Sequence, residues 1–162
     1  MSELDCIDFL LPIYIDHPDR LRNLQITIKY LQSLGANNII VNEHYVGEPK
    51  ASNIVTKYMS KNITNDLFYN KMLCGNEMFE RYSTNKIVGL YDIDVLIPKR
   101  DLKLTIDMIL NQKYQFVYPY DGRFYDIPLE TVLELQKDLK AQIDLSKCTL
   151  FCSTSHGGCV FF

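Results

Sequence analysis

Ile87-Val88-Gly89-Leu90-Tyr91-Asp92-Ile93-Asp94-Val95-Leu96-Ile97-Pro98 is an apolar run broken by two acids. An unpartnered carboxylate in apolar surroundings is costly, so Asp92 and Asp94 must reach solvent or hold a cation. Read as one extended segment, the run projects residues i and i+2 to the same side, and both carboxylates face one point at the carboxyl end of a buried strand. Ligands of open α/β sheets sit at that end. Two hard oxygen donors, with waters and a ligand diphosphate completing the shell, suit magnesium or manganese better than zinc. The plainer alternative is that Asp92 and Asp94 cap the turn before Pro98.

The flanking chain reads as alternating strands and helices. Cys6 to Tyr14 is rich in strand formers and is expected to be a first buried strand with Pro12 at its exit. Asp16 or His17 then starts a helix with Pro18 in its first turn. Leu21, Leu24, Ile28, Leu31 and Leu34 recur at helical spacing until Gly35 ends it. Asn38 to His44 has no polar alternation at its apolar start, the pattern of a strand covered on both faces. Strand, helix and strand in this order suggest a parallel crossover that brings Pro12, Tyr14 and Glu43 to one sheet edge.

Between Gly47 and Lys61 the expectation is a short helix with Val55, Tyr58 and Met59 facing the core. Asn65 is expected to cap a helix reaching Tyr82, with Leu67, Phe68, Met72, Met78 and Phe79 in its buried stripe and Gly75 as a weak point. After the acidic run, Asp101 is expected to cap a helix through Leu110, followed by an extended Tyr114 to Tyr118. A turn follows at Pro119-Tyr120-Asp121-Gly122, then a helix from Pro128 to about Lys140.

The chain has 162 residues, 47% hydrophobic and 23% charged, which fits one globular domain. Its net charge of −3, without a long Lys/Arg block, argues against a nucleic-acid partner. The apolar runs are too short to cross a bilayer and the N-terminus is acidic, so the expected location is cytoplasmic. Five cysteines at irregular spacing read as reduced thiols. The closing Val160-Phe161-Phe162 leaves an apolar end through which the chain could form an oligomer.

Several of these stretches, in their order, resemble a known family. They are Pro12-Ile13-Tyr14 ending a strand, a helix carrying Arg20, the segment Tyr69-Asn70-Lys71-Met72-Leu73-Cys74-Gly75-Asn76, Asp92-Ile93-Asp94, and Gly157-Gly158-Cys159. Together they are similar to GT-A fold glycosyltransferases within or near family 2, nearest to the galactosyltransferase and chondroitin-polymerase type. Those enzymes carry an F-N-R/K-A-x-x-x-N run before a D-x-D and a G-G-V/A run after it. The resemblance implies an α/β three-layer fold with a mainly parallel central sheet, spanning 1–162 as one GT-A-like domain. It implies a nucleotide-sugar donor, a carbohydrate acceptor, and Mn2+ or Mg2+.

By the same resemblance, Pro12 and Tyr14 border the base, Glu43 faces the nucleoside, and Lys71 beside Asn70 approaches the diphosphate. Arg20, Gly157 and Gly158 join this donor site, Asp92 faces the ribose and metal, and Asp94 is the direct metal ligand. For Lys71 and Arg20 the alternative is a solvated helix face.

The chain departs from the family after its Gly-Gly run, where such enzymes continue into an acceptor segment with a general base. Transfer by this chain is therefore expected to be weak, with Asp121, Asp126 and Glu130 as the candidates for a base within it. Two alternatives stand beside the enzyme. One is a nucleotide-sugar-binding domain without turnover. The other is a zinc-stapled interaction domain through Cys148, Cys152, His156 and Cys159, four soft ligands in a short window.

Overall fold

The computed structural model describes residues 3–55, 57–63, 69–139, 143–155 and 157–162. Its strands are β1 (Ile7–Tyr14), β2 (Ile39–Tyr45), β3 (Lys57–Asn62), β4 (Ile87–Tyr91), β5 (Phe124–Asp126), β6 (Thr149–Cys152) and β7 (Cys159–Phe161). Its α-helices are α1 (Pro18–Ser33), α2 (Lys71–Tyr82), α3 (Lys99–Leu110) and α4 (Leu129–Lys137). Five strands form one sheet in the order β3-β2-β1-β4-β7, and β5 pairs with β6 in a small second sheet. The pairs of β1 with β2 and β4, and of β2 with β3, are parallel, whereas β7 runs antiparallel to β4. The expected α/β architecture with a mainly parallel central sheet is present.

Strand parity sorts the core into layers. Phe9, Leu11, Ile13, Ile39, Val41 and Tyr91 point to the face covered by Leu24, Ile28 and Leu31 of α1 and by Leu102 of α3. Leu10, Ile40, Val88 and Leu90 point to the other face, under Met78 of α2. Both sides of β1 are covered, and its one acid, Asp8, is fully engaged. Asp8 accepts hydrogen bonds from the backbone N–H groups of Thr84 and Asn85 and from the Asn85 amide. Pro12 lies inside β1 rather than at its exit. The ladder to β4 has already ended at Leu10, so the residue without an N–H lies past the last pair on that side.

The helix expected between Gly47 and Lys61 is instead the edge strand β3. Tyr58 packs against one core cluster and Met59 against the other, which is a strand's two-residue period. α2 begins at Lys71, where the Asn70 side chain accepts from the Leu73 N–H, and not at Asn65. Asn65, Leu67 and Phe68 lie outside the described residues. With that start, the buried stripe is Cys74, Gly75 and Met78, while Met72 and Phe79 are exposed. Gly75 is a point of close packing rather than weakness, because a Cβ there would come within 3.0 Å of Leu90 Cδ1.

Asp101 lies inside the first turn of α3, which opens at Pro98 without a side-chain cap. Of the strand expected at Tyr114 to Tyr118, only Val117 pairs, as an antiparallel bridge to Phe161. α4 stops at Lys137, short of Lys140. The Val160-Phe161-Phe162 end is partly core, since Phe161 is buried edge-on against Phe9 and Tyr91. None of the described helices is long and apolar enough to cross a membrane.

Candidate functional site

The chain winds outward from β1 through β2 to β3, then returns to the opposite side of β1 as β4. The carboxyl ends of β1 and β4 therefore flank the point where strand order reverses, where such sheets open a crevice. β4 ends at Tyr91, so Asp92 and Asp94 stand in the turn beyond it and not in an extended strand. The turn is nevertheless fixed. Thr27 donates its hydroxyl to the Ile93 carbonyl at 2.7 Å and Tyr30 to the Ile97 carbonyl at 2.9 Å, while the Ile97 N–H donates to the Tyr91 hydroxyl at 3.2 Å. Ile93 and Ile97 are buried, Asp92 is half-buried and Asp94 is exposed.

Lys71, the first residue of α2, forms an ion pair with Asp92. Burial pushes the Asp92 carboxyl above the usual carboxylate range. Lys71 and a hydrogen bond involving the Gly158 backbone oppose this, and the neighbouring Asp94 adds to it. Two acids thus share one lysine, which leaves a net negative charge at the crevice. Such a site fits a divalent cation holding oxygen ligands: Asp92 and Asp94 would supply two of the donors. Among the described residues no group of three or more His, Cys, Asp or Glu side chains comes together.

Gly157 and Gly158 reach this site through β7. The Asp92 N–H donates to the Gly158 carbonyl at 2.8 Å, one step beyond the Tyr91–Cys159 pair. Gly158 has φ +95°, and a Cβ on it would lie 2.7 Å from the Phe124 ring, so glycine is needed there. Tyr14, at the end of β1, stacks on Tyr69 with centroids 6.0 Å apart, and His44 meets the other side of Tyr69 edge-on. Burial raises the Tyr69 phenol well above its ordinary range; Cys74 and Asp92 raise it further and Arg20 opposes them. Arg20 itself pairs with Asp16 at 2.8 Å.

Two expected donor-site residues have structural partners instead. Glu43 is fully buried, and its carboxylate accepts from the backbone N–H groups of Lys50 and Ala51 and from the Tyr58 hydroxyl. It organises the loop after β2. Asn70 caps α2 and thereby sets the position of Lys71. Pro12 is buried within β1.

The acids considered as bases differ. Asp121 bonds Arg123, whose guanidinium holds its carboxyl below the usual range, whereas Asp126 and Glu130 are exposed. The zinc reading is corrected among the described residues. Cys152 lies on β6 in the second sheet, Cys159 is buried on β7, and the Cys148 thiol donates to the Asp144 carbonyl. His156 lies outside the described residues.

Sequence reasoning missed Tyr69, Thr27 and Tyr30. Thr27 carried a signal, being a polar residue within the stripe of Leu24, Ile28 and Leu31.

No family model and no curated protein sequence matches the chain. Among solved structures it is similar to the mannosyltransferase PcManGT from Pyrobaculum calidifontis in complex with GDP-Man and Mn2+. The TM-score is 0.44 and the identity 10%, over 83% of this chain and 40% of that one.

Proposed function

We propose that this chain is a GT-A-type glycosyltransferase that binds a nucleoside diphosphate sugar at the Asp92–Lys71 crevice and passes the sugar to a carbohydrate acceptor. The observation that carries this reading is the meeting of Asp92, Asp94 and Lys71 where strand order reverses. A diphosphate needs positive charge around it, and the crevice offers one ammonium together with two acids suited to Mn2+ or Mg2+. When bound there, the cation would neutralise charge on the departing diphosphate.

The roles of the chain's own groups follow from their placement. Lys71 exchanges its pairing with Asp92 for the phosphate oxygens. The Tyr14–Tyr69 pair, with Arg20 near it, offers an aromatic wall to the nucleoside, and Gly157 and Gly158 allow close backbone approach. In transfer, the acceptor hydroxyl oxygen bonds the anomeric carbon as the bond to the diphosphate breaks. The electron pair leaves on a phosphate oxygen and the hydroxyl proton passes to a base. Asp121 is the poorest of the three candidates because Arg123 stabilises its anion; Asp126 and Glu130 remain.

Calorimetry with UDP and GDP, with and without manganese, tests the reading. Metal-dependent binding that Asp94→Ala removes, with the thermal midpoint unchanged, is the expected result. Equal binding in chelator, or a large loss of stability in Asp94→Ala, would overturn it. Product analysis with labelled nucleotide sugars then separates a transferase from a domain that binds without turnover.

A further inference from the structure

An aromatic ladder leads away from the glycine pair. Tyr114, Phe116 and Tyr118 are 52%, 62% and 41% exposed at alternate positions, while Val117 between them turns inward and bridges Phe161. Ring centroids follow one another at 6.4 Å from Phe116 to Tyr118, 6.0 Å to Tyr120 and 4.9 Å to Phe124. The inner end joins the candidate site. Tyr120 donates its hydroxyl to the Gly157 carbonyl, Phe124 packs on Gly158, and Gly158 accepts from the Asp92 N–H. Tyr118 also forms one wall of a groove of about 490 Å³ whose lining includes Lys71, Phe79 and Phe162.

Exposed rings of this kind mark an interaction surface. Three features select its occupant. The rings follow a line that starts at the acids, which suits an extended chain growing from the transfer point. Phenol oxygens alternate with ring faces, which suits a ligand whose C–H faces and hydroxyls alternate as a sugar's do. The segment 114–120 has no charged side chain, and Arg123 beyond it is held by Asp121.

Resting on the donor reading above, we propose that the Phe116–Tyr118–Tyr120 ladder and its groove bind a neutral oligosaccharide acceptor, with the growing end at Gly157–Gly158 and the rest of the chain on Tyr118 and Phe116.

The test uses the full chain with manganese and UDP or GDP. Binding of cello-, malto- and chito-hexasaccharides, the matching disaccharides and an oligogalacturonate is measured by calorimetry. At least one neutral hexasaccharide should bind about tenfold more tightly than its disaccharide. The double variant Phe116→Ala/Tyr118→Ala should bring the hexasaccharide down to the disaccharide level and leave nucleotide affinity unchanged. The proposal is overturned if no neutral hexasaccharide binds, if the oligogalacturonate binds more tightly, or if the double variant binds as well as the native chain. It is also overturned if sedimentation shows self-association that the double variant abolishes, because the ladder would then join two copies. Loss of glycan binding with nucleotide binding intact removes only the acceptor track, whereas absence of nucleotide binding in the native chain removes the donor reading itself.

Discussion

Replacing Lys71 by Ala should move two affinities in opposite directions. In the free protein the Lys71 ammonium sits on Asp92, with side chains 35% and 29% exposed. A pair at that exposure is worth about 0.2–1 kcal/mol, so removing the competing ammonium should tighten manganese binding in the absence of nucleotide by up to about fivefold. The diphosphate, by contrast, loses a charge-assisted contact of roughly 1.5–3 kcal/mol, a drop of about tenfold to about 150-fold for UDP or GDP. Uridine or guanosine, lacking phosphate, should bind as before.

A third readout comes from Asp92. Burial already raises its carboxyl above the usual range, and without Lys71 the rise is larger. A carboxyl whose folded pKa exceeds its unfolded value favours the folded state at low pH and loses that contribution as pH rises through the folded pKa. Metal-free Lys71→Ala should therefore gain more stability than the native chain as pH falls from neutral into the carboxylate range. Titration calorimetry with manganese, nucleotides and nucleosides, together with thermal unfolding across pH, measures all three. Weaker manganese binding by the variant, or equal losses for nucleotide and nucleoside, would refute the exchange of partners at Lys71.

Two further outcomes test the fold around the site. A Cβ on Gly89 would lie 2.4 Å from the Phe161 ring. Gly89→Ala should therefore cost about 1–3 kcal/mol in chemical denaturation, partly recovered by Phe161→Leu; an unchanged midpoint would place Phe161 elsewhere. Burial pushes the Glu77 carboxyl up, but hydrogen bonds from Lys61, His44 and Asn42 outweigh it and hold the group at about 2. Its contribution to stability is present above the unfolded value of 4.5 and is lost as pH falls toward about 2, so Glu77→Gln should flatten the acid limb of the stability curve. An acid limb identical to that of the native chain would show that the cluster does not form.

The elements legible in the residues are those whose composition is dictated by burial on both sides. β1, β2 and β4 are apolar runs because each is covered by helices or strands on every side, and α1 keeps its spacing because one stripe must face the sheet. The order of these runs placed Asp92 and Asp94 at the end of an apolar strand before any coordinates were considered. β3 was not legible. An edge strand is hydrogen-bonded on one side only and exposes much of its surface, so Lys57, Ser60 and Lys61 are tolerated and no apolar pattern marks it.

What tertiary structure alone decided is which distant residues meet. Lys71 reaches Asp92 because β4 lies beside β1 and α2 packs across β1 and β2. Gly158 reaches Asp92 because β7 returns antiparallel to β4. Tyr14 and Tyr69 stack only once β1 and the entry to α2 lie side by side. The burial of Glu43 shows the reverse. Its position at the sheet edge followed from the sequence, but the N–H groups of Lys50 and Ala51 and the Tyr58 hydroxyl that claim its carboxylate come from a loop and a strand whose path no local pattern encodes. Local periodicity is set by which face is buried, whereas the pairing of side chains across the crevice is set by strand order, which depends on the whole chain at once.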